Sequence, residues 1–176
     1  VLFGRREPEF SGEVREYIDN NEAQNDAVNL ATRADDFALV HGPPGTGKTY
    51  TIARTVKAMI EQGERVLLSA FTNRAVDNAL EAVLEQGVDE GDIVRVGTES
   101  GIREDMSHLR LEQSGDPGER IAELREASLV AATTASCGSR VMREEAFDVA
   151  LVDEASQLTE PATLAAINLA DRFVLV

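Results

Sequence analysis

The chain has 176 residues, enough for one domain with a sizeable hydrophobic core and short for two. Its 32 acidic and 17 basic residues give a net charge of −15, so any contact with nucleic acid has to come from a local patch. No apolar run reaches the roughly 18 to 20 residues of a membrane span, and charges interrupt the first ten residues, where a signal peptide would be apolar. We therefore expect a cytoplasmic protein with no membrane partner.

The basic residues are poor in lysine. Lys48 and Lys57 are the only lysines, and all other basic residues are arginines. This composition predicts a solvated acidic surface, typical of a high-salt cytoplasm in which salt screens the repulsion between carboxylates. The single cysteine, Cys137, cannot form an internal disulfide and is expected to be a small buried residue.

Segments with helical spacing of apolar residues alternate with short segments that are apolar throughout. The predicted helices cover residues 21–33, 48–62, 74–86, 118–127 and 162–170. The predicted strands cover residues 37–41, 65–69, 93–96, 128–132, 148–152 and 173–176. Apolar strands joined by helices indicate an α/β fold with a mostly parallel sheet covered on both faces. Residues from about 97 to 127 are polar with weak periodicity, and we interpret them as a surface insertion with some helix.

The strongest motif follows the first predicted strand. The run Gly42-Pro43-Pro44-Gly45-Thr46-Gly47-Lys48-Thr49 has the spacing GxxxxGK[ST] of a phosphate-binding loop, the Walker A box. Glycines let backbone N–H groups turn towards a polyphosphate, and the helix that begins at Lys48 points its positive end the same way. We expect Lys48 to contact the β and γ phosphates of ATP and the Thr49 hydroxyl to bind Mg²⁺. The alternative is a glycine turn with a structural role only.

An acidic pair follows the predicted strand at 148–152. We expect that strand to lie beside the strand that precedes the glycine-rich loop, so that Asp153 holds Mg²⁺ through water. Glu154 is then placed to orient and deprotonate an attacking water. The alternative is an acidic turn at the end of a strand. The predicted catalytic residues are therefore Lys48, Asp153 and Glu154, and the predicted metal ligands are Thr49 and Asp153.

Several segments together resemble helicase superfamily 1. Asp153-Glu-Ala-Ser-Gln157 is the DEAS-Q form of the Walker B box, and Gly42–Thr49 is the Walker A form common in that superfamily. The segment Leu67–Leu80 looks like motif Ia, and Val130–Thr134 looks like the motif before Walker B. The resemblance is to the 5′-to-3′ branch, above all to the helicase part of the nuclease-helicases that process Okazaki-fragment flaps. The RNA helicases of nonsense-mediated decay look less similar.

The resemblance covers roughly residues 20–176. It implies a P-loop NTPase fold of the RecA-like type, with three layers, that stops after the strand before motif III. Residues 20–176 would be the first RecA-like ATPase domain, incomplete, and residues 1–19 an upstream remnant. A second RecA-like domain would supply the arginine fingers in the longer protein. Because those arginines are absent here, we expect the isolated chain to bind ATP and to hydrolyse it very slowly.

The resemblance also implies roles for individual residues. Gln24 would hydrogen-bond the adenine edge, the alternative being a polar residue on an amphipathic helix. The expected nucleotide contacts are Gln24, Gly42, Pro43, Pro44, Gly45, Thr46, Gly47, Lys48, Thr49 and Tyr50. The expected nucleic-acid contacts are Ser69, Phe71, Thr72, Asn73, Thr133 and Thr134. For the polar members the alternative is capping at strand ends, and for Phe71 it is a place in the core.

The function implied is an ATP-driven motor that moves on single-stranded DNA, with RNA possible. Two other classes stay open: a P-loop ATPase of a different kind, such as a small-molecule kinase or a partition-type switch, and a nucleic-acid-binding module without catalysis. ATPase activity of the longer protein, with and without single-stranded nucleic acid, distinguishes the three.

Overall fold

The computed structural model describes residues 7–43, 45–111 and 116–176. The helices are α1 (Glu22–Arg33), α2 (Lys48–Glu61), α3 (Asn73–Glu85), α4 (Pro117–Glu126), α5 (Thr134–Cys137) and α6 (Glu160–Ile167). The strands are β1 (Phe37–Leu39), β2 (Val66–Ala70), β3 (Ile93–Val96), β4 (Leu129–Thr133), β5 (Phe147–Val152) and β6 (Ala170–Leu175). Every predicted helix and strand is present, with ends shifted by a few residues, and α5 is additional.

Side-chain caps set where several helices begin. Asn21 precedes α1, and its side-chain oxygen accepts the backbone N–H of Gln24 at 3.1 Å. Thr72 precedes α3 and accepts the N–H of Ala75 at 3.1 Å. Each cap satisfies a backbone donor that has no partner inside the helix, which fixes the first turn. These two turns carry residues of the candidate site.

Within the described residues, six parallel strands form one sheet in the order β1-β6-β5-β2-β4-β3. The predicted α/β fold with a mostly parallel sheet is confirmed. One detail of the prediction is wrong: β5, which precedes Asp153, does not lie beside β1. The last strand, β6, lies between them, pairing Phe37 with Phe173 on one side and Val152 with Leu175 on the other.

The sheet is the middle of three layers, as predicted. One face packs against α1, α2 and α3 and buries side chains such as Leu68, Ile52 and Leu80. The opposite face packs against α4, α5 and α6 and buries side chains such as Leu67 and Ile167. Neighbouring strand residues point to opposite faces, which is why Leu67 and Leu68 belong to different cores. The predicted burial of Cys137 is confirmed, since its side chain is 1% exposed in the second core.

The segment predicted as a surface insertion contributes to both cores. Ile102, Met106 and Leu109 pack into the first core, and Leu111 and Leu124 pack into the second. Residues 112–115 lie outside the described part of the chain. The prediction understated this segment because its apolar residues are spaced for short 3₁₀ turns, at 99–101 and 104–109, and not for one α-helix.

The described residues before α1 run along its side. Phe10 forms an antiparallel bridge with Ala34, and the Ser11 N–H donates to the Arg33 carbonyl at 2.8 Å. We call residues 9–18 the N-terminal strap. In the part of the chain that the structure describes, no helix is both long and apolar enough to cross a membrane.

Candidate nucleotide site

The glycine loop, residues 42–49, connects β1 to α2 at the carboxyl end of the sheet. Gly47 precedes α2 with φ +78°, a left-handed conformation that favours glycine, and Gly45 has φ +81°. The Thr46 hydroxyl donates to the Pro43 carbonyl at 2.8 Å, which holds the loop in a turn. Pro44 lies outside the described residues. The first N–H groups of α2 and the loop amides therefore lie where an anion would bind.

Lys48 folds back over the start of the loop. Its Nζ donates to the Gly42 carbonyl at 2.9 Å. A Cβ added at Gly42 would lie 2.9 Å from Lys48 Cγ and 2.9 Å from Thr46 Oγ1, so a side chain at this position would displace the lysine. Glycine at position 42 thus lets the lysine stem cross the loop backbone closely.

A pocket of about 660 Å³ opens beside the loop, between α1 and α2. Its polar lining includes Asn21, Gln24, His41, Thr46 and Lys48. Its apolar lining comes from Ala23, Ala27, Ala31, Val40, Ile52, Leu151, Val174 and Val176. A largely apolar cavity with a few polar groups at one end has the form of a small-molecule site.

Gln24 joins the pocket wall to the glycine loop. Its side-chain Nε2 donates to the Thr46 carbonyl at 2.8 Å. The same Nε2 would lie 2.5 Å from a Cβ added at Gly47, so the amide packs directly on that glycine. Sequence reasoning placed Gln24 at the nucleotide without finding this loop contact, which links residues that are 22 positions apart.

Thr49 and Tyr50 lie in the first turn of α2, next to the loop. Both side chains are exposed, Tyr50 at 43%. Neither lines the pocket between α1 and α2. Thr49 immediately follows the lysine at the helix start and Tyr50 follows Thr49, and the nucleotide contacts of both residues stay predictions.

Asp153 and Glu154 follow β5 on the same edge of the sheet. Asp153 Oδ1 accepts the N–H of Glu154 at 2.8 Å, and Asp153 N–H donates to the Ser69 carbonyl at 2.8 Å. Burial raises the pKa of Asp153 above its ordinary value, although the Glu154 hydrogen bond and the Lys48 charge both act to lower it. Lys48 follows β1 and Asp153 follows β5, and β6 lies between these two strands.

Glu154 has an unusual backbone. Its φ is +55° and its ψ is +32°, a left-handed conformation that costs a non-glycine residue free energy. Strained backbone of this kind is concentrated at functional sites. The conformation turns the chain sharply after β5 and sets the acidic pair at the sheet edge.

A magnesium ion at this edge would have few protein ligands. Across residues 7–43, 45–111 and 116–176, no group of three or more His, Cys, Asp or Glu side chains could hold a metal ion. One hydroxyl and one carboxylate nevertheless fit Mg²⁺, which usually keeps several waters and takes its other ligands from substrate phosphates. The donors present are therefore compatible with a nucleotide-bound magnesium ion and not with an all-protein metal cage.

The residues predicted to contact nucleic acid divide into two groups. Phe71 is 55% exposed and Thr72 is exposed at the end of β2, so Phe71 does not belong to the core. Ser69 is fully buried, with its hydroxyl 3.7 Å from Cys137 Sγ. Thr133 is buried and caps α5 by accepting the Ser136 N–H at 3.2 Å, and Thr134 is 3% exposed. Thr133 therefore corresponds to the capping alternative, whereas the Ser69 hydroxyl contacts Cys137 inside the domain.

The side chain of Asn73 is engaged inside the domain. Its Oδ1 accepts from Arg95 Nη2 at 2.9 Å. Arg95 is completely buried, and its Nε lies 2.8 Å from Oδ1 of Asp77, which is 2% exposed. Sequence reasoning missed this network. The available signal was an arginine inside the otherwise apolar strand Ile93-Val-Arg-Val96, since a buried charge requires a partner.

Comparison with known sequences decides the family. The family model described as the AAA domain matches residues 19–119 and 118–176. The chain belongs to the AAA domain family. This AAA domain is 32% identical over 161 residues to the DNA replication ATP-dependent helicase/nuclease JHS1 of Arabidopsis thaliana, a match covering 89% of the chain and 12% of that protein. It is 33% identical over 162 residues to the helicase/nuclease DNA2 of Xenopus laevis, covering 89% of the chain and 15% of that protein.

The resemblance to nuclease-helicases is thereby confirmed. A further relative, the DNA polymerase alpha-associated DNA helicase A of Schizosaccharomyces pombe, is 25% identical over 214 residues, which cover 92% of the chain and 32% of that protein. The AAA domain thus spans between about one tenth and one third of the length of such relatives.

Solved structures support the fold. The UvsW helicase from bacteriophage T4 superposes with a TM-score of 0.64 at 16% identity, covering 99% of this AAA domain and 57% of that chain. A hypothetical ATP-dependent RNA helicase from Sulfolobus tokodaii superposes with a TM-score of 0.58 at 17% identity. The match covers 90% of this AAA domain and 46% of that chain. The predicted RecA-like arrangement is therefore confirmed at the level of the fold.

Proposed function

We propose that the chain is the ATP-binding and ATP-hydrolysing motor domain of a DNA helicase that moves on single-stranded nucleic acid. The observation that carries the proposal is the placement of Lys48 and Asp153 at one edge of a parallel sheet, after β1 and β5 respectively, with β6 between those strands. Ligands of open α/β sheets bind outside the carboxyl ends of the strands, where both residues lie. The named activities of the relatives, which are ATP-dependent DNA helicases and helicase/nucleases, support this choice.

The glycine loop would bind the triphosphate. The amides of Gly45 and Gly47 and the start of α2 would offer hydrogen-bond donors, and Lys48 would exchange the Gly42 carbonyl for phosphate oxygens. Gly42 and Pro43, two further expected contacts, border the same cavity. Because the Gly42 carbonyl that accepts from Lys48 is neutral, a charged phosphate competes well for the ammonium group.

Thr49 and Asp153 would hold Mg²⁺. The ion, when bound with ATP, neutralises charge on the β and γ phosphates. Glu154 is placed to orient a water molecule and accept its proton. The hydrogen bond from the backbone N–H of Glu154 to Asp153 Oδ1 fixes the Asp153 carboxylate against the turn that carries Glu154.

Nucleic acid would cross the same sheet edge farther from the loop. Phe71 is exposed enough to stack on a base, and Thr72 lies beside it at the start of α3. The net charge of −15 gives little general attraction for phosphates, so we expect weak binding by this chain alone. A second RecA-like domain in the longer protein would complete the nucleic-acid site and supply arginines to the γ phosphate.

Nucleotide binding by the purified chain tests the first part of the proposal. Titration with a fluorescent ATP analogue in Mg²⁺ should show saturable binding, and Lys48→Ala should weaken it at least tenfold. Lys57→Ala is the matched control, since Lys57 is the other lysine of the same helix and its Nζ contacts the Gln86 carbonyl and the Glu61 carboxylate, away from the glycine loop. Equal binding by the two variants would rule out the assigned role of Lys48.

Turnover tests the second part. We expect the chain to hydrolyse ATP very slowly, and the longer protein to hydrolyse it faster when single-stranded DNA is added. Single-stranded RNA of the same sequence shows which nucleic acid is preferred. Phosphate transfer to a small metabolite, or no turnover under any condition, would refute the motor assignment.

A further inference from the structure

The N-terminal strap is bound to α1 by two asparagine side chains. Asn25 Oδ1 accepts the backbone N–H of Tyr17 at 2.7 Å and that of Ile18 at 3.2 Å. Asn29 Oδ1 accepts the N–H of Arg15 at 2.8 Å, and its Nδ2 donates to the Arg15 carbonyl at 2.7 Å. The amide of Asn29 thus pairs with both backbone groups of one residue, as a neighbouring strand would.

The strap is also bound to α2, the helix that follows the glycine loop. The guanidinium of Arg54 donates to the Tyr17 carbonyl through both Nε and Nη2. Gln62 Nε2 contacts the Tyr17 hydroxyl at 3.0 Å. Ile18 is 7% exposed and packs with Val28 and Ala58 in a small core between strap, α1 and α2. Tyr17 and Ile18 therefore fix the two helices to each other.

The point at which the strap meets α1 is next to Gln24. Asn25 lies in the same helical turn, and Asn21 caps that turn by accepting the Gln24 N–H. The Gln24 side chain then reaches 2.8 Å from the Thr46 carbonyl and packs on Gly47. A displacement of this turn by 1 Å would break the Gln24 contact, because hydrogen bonds weaken steeply beyond about 3.2 Å.

We propose that Asn25 is a positioning residue for nucleotide binding: by binding the strap backbone it holds the first turn of α1 so that Gln24 contacts the glycine loop. The proposal rests on the proposed ATP site. The sequence predicted that the strap is an upstream remnant. The proposal gives it a role in the affinity for the nucleotide and in the preference for its base. Gln24 is the side chain through which that role acts, since Asn25 does not line the pocket.

Substitutions of Asn25 test the proposal. The strap backbone is bonded to the side-chain oxygen of Asn25, so Asn25→Asp keeps both hydrogen bonds, whereas Asn25→Ala removes them. We expect Asn25→Ala to weaken binding of the fluorescent ATP analogue about five- to tenfold and to reduce the preference for ATP over GTP. Asn25→Asp should restore most of the affinity.

A double-mutant cycle separates positioning from general destabilisation. If Asn25 acts through Gln24, then Gln24→Ala should produce a similar loss, and the double variant should lose little more than either single one. Ser11→Ala is the control, because it removes a contact of the strap with Asp35 at the opposite end of α1. Melting curves for every variant ensure that binding is measured on folded protein.

The outcomes are distinct. Failure of the unmodified chain to bind ATP would overturn the proposed function. Normal ATP binding by the chain together with unchanged affinity in Asn25→Ala, or fully additive losses in the double variant, would overturn the role of Asn25 and leave the ATP site in place.

Discussion

Arg95 Nε lies 2.8 Å from Asp77 Oδ1, and the two side chains are 0% and 2% exposed. Asp77 Oδ2 also accepts the N–H of Arg103 at 3.0 Å, and Arg95 Nη1 donates to the Val96 carbonyl at 2.8 Å. The pair therefore joins α3 to β3 and to the segment that follows β3. Because Arg95 also contacts Asn73, it fixes the helix start beside the exposed Phe71.

Loss of one partner of this pair should strongly destabilise the domain. Asp77→Ala leaves a buried guanidinium without its carboxylate, and we expect the free energy of unfolding to fall by about 3–5 kcal/mol. Urea denaturation measures the change. Glu81→Ala is the control, since Glu81 pairs with Arg103 on the surface and is half exposed; its cost should stay within about 1 kcal/mol. A similar fall in the free energy of unfolding for the two variants would show that burial of the Asp77–Arg95 pair does not increase its contribution.

The ionised Asp153 carboxylate should destabilise the folded domain and should be required for ATP hydrolysis. Burial raises its pKa, so the ionised form is less favourable in the folded domain than in the unfolded chain. We expect Asp153→Asn to raise the melting temperature at neutral pH in the presence of a chelator and to abolish ATP hydrolysis by the longer protein. Asparagine keeps the acceptor for the Glu154 N–H. A lower melting temperature would show that the carboxylate stabilises the fold.

Cys137 should resist alkylation and make stability fall at high pH. Burial raises the pKa of its thiol from 9.0 to about 11. Because the folded pKa is the higher one, the stabilisation is complete below about pH 9 and is lost as pH rises towards 11. The difference between wild type and Cys137→Ala in urea midpoint, measured at several pH values, should therefore shrink across that window. Rapid labelling of the native thiol at neutral pH would show that the side chain is accessible.

Gly47→Ala should impair both the fold and the nucleotide site. The residue has φ +78°, and an added Cβ would lie 2.5 Å from Gln24 Nε2. We expect loss of ATP affinity together with a loss of stability at least as large as the roughly 1–2 kcal/mol of a left-handed residue that has no such close contact. Gly63→Ala is the control, because Gly63 has a similar φ of +83° and no atom lies within 4 Å of the added Cβ. It should lower stability by roughly 1–2 kcal/mol and leave ATP binding unchanged.

Phe71→Ala should weaken binding of single-stranded DNA by the longer protein without changing its affinity for ATP. The ring is 55% exposed, so its removal should affect stability little. Base stacking on an aromatic ring is worth about 1–3 kcal/mol, which corresponds to a loss of roughly five- to 150-fold in affinity. Fluorescence anisotropy with a labelled oligonucleotide measures this loss. Unchanged DNA affinity would place the nucleic-acid path elsewhere.

The features that sequence predicted correctly are those with local causes. The glycine loop follows from a spacing of eight residues, and the α/β alternation follows from the periodicity of apolar residues. Burial of Cys137 follows from its residue type and its isolation. None of these requires knowledge of which segments meet in space.

The features that sequence missed depend on contacts between distant segments. The position of β6 between β1 and β5 is a property of strand order, which composition does not encode. Asp77 and Arg95 are 18 residues apart, and Gln24 and Thr46 are 22 apart. The resemblance implied that Ser69 contacts nucleic acid, yet its side chain is fully buried with the hydroxyl 3.7 Å from Cys137 Sγ. Such cases require the arrangement of the elements and not only their existence.

The interposed strand also determines how far apart the two halves of the nucleotide site are. Strands in a sheet are about 4.8 Å apart, so two intervals separate β1 from β5 by roughly 10 Å. The end of β6 is bonded to both halves: the Leu175 carbonyl accepts the N–H of Val40 at 2.8 Å, and the Val176 carbonyl accepts the N–H of Ala155 at 2.9 Å. The glycine loop and the acidic turn are therefore held apart by the same strand that connects them.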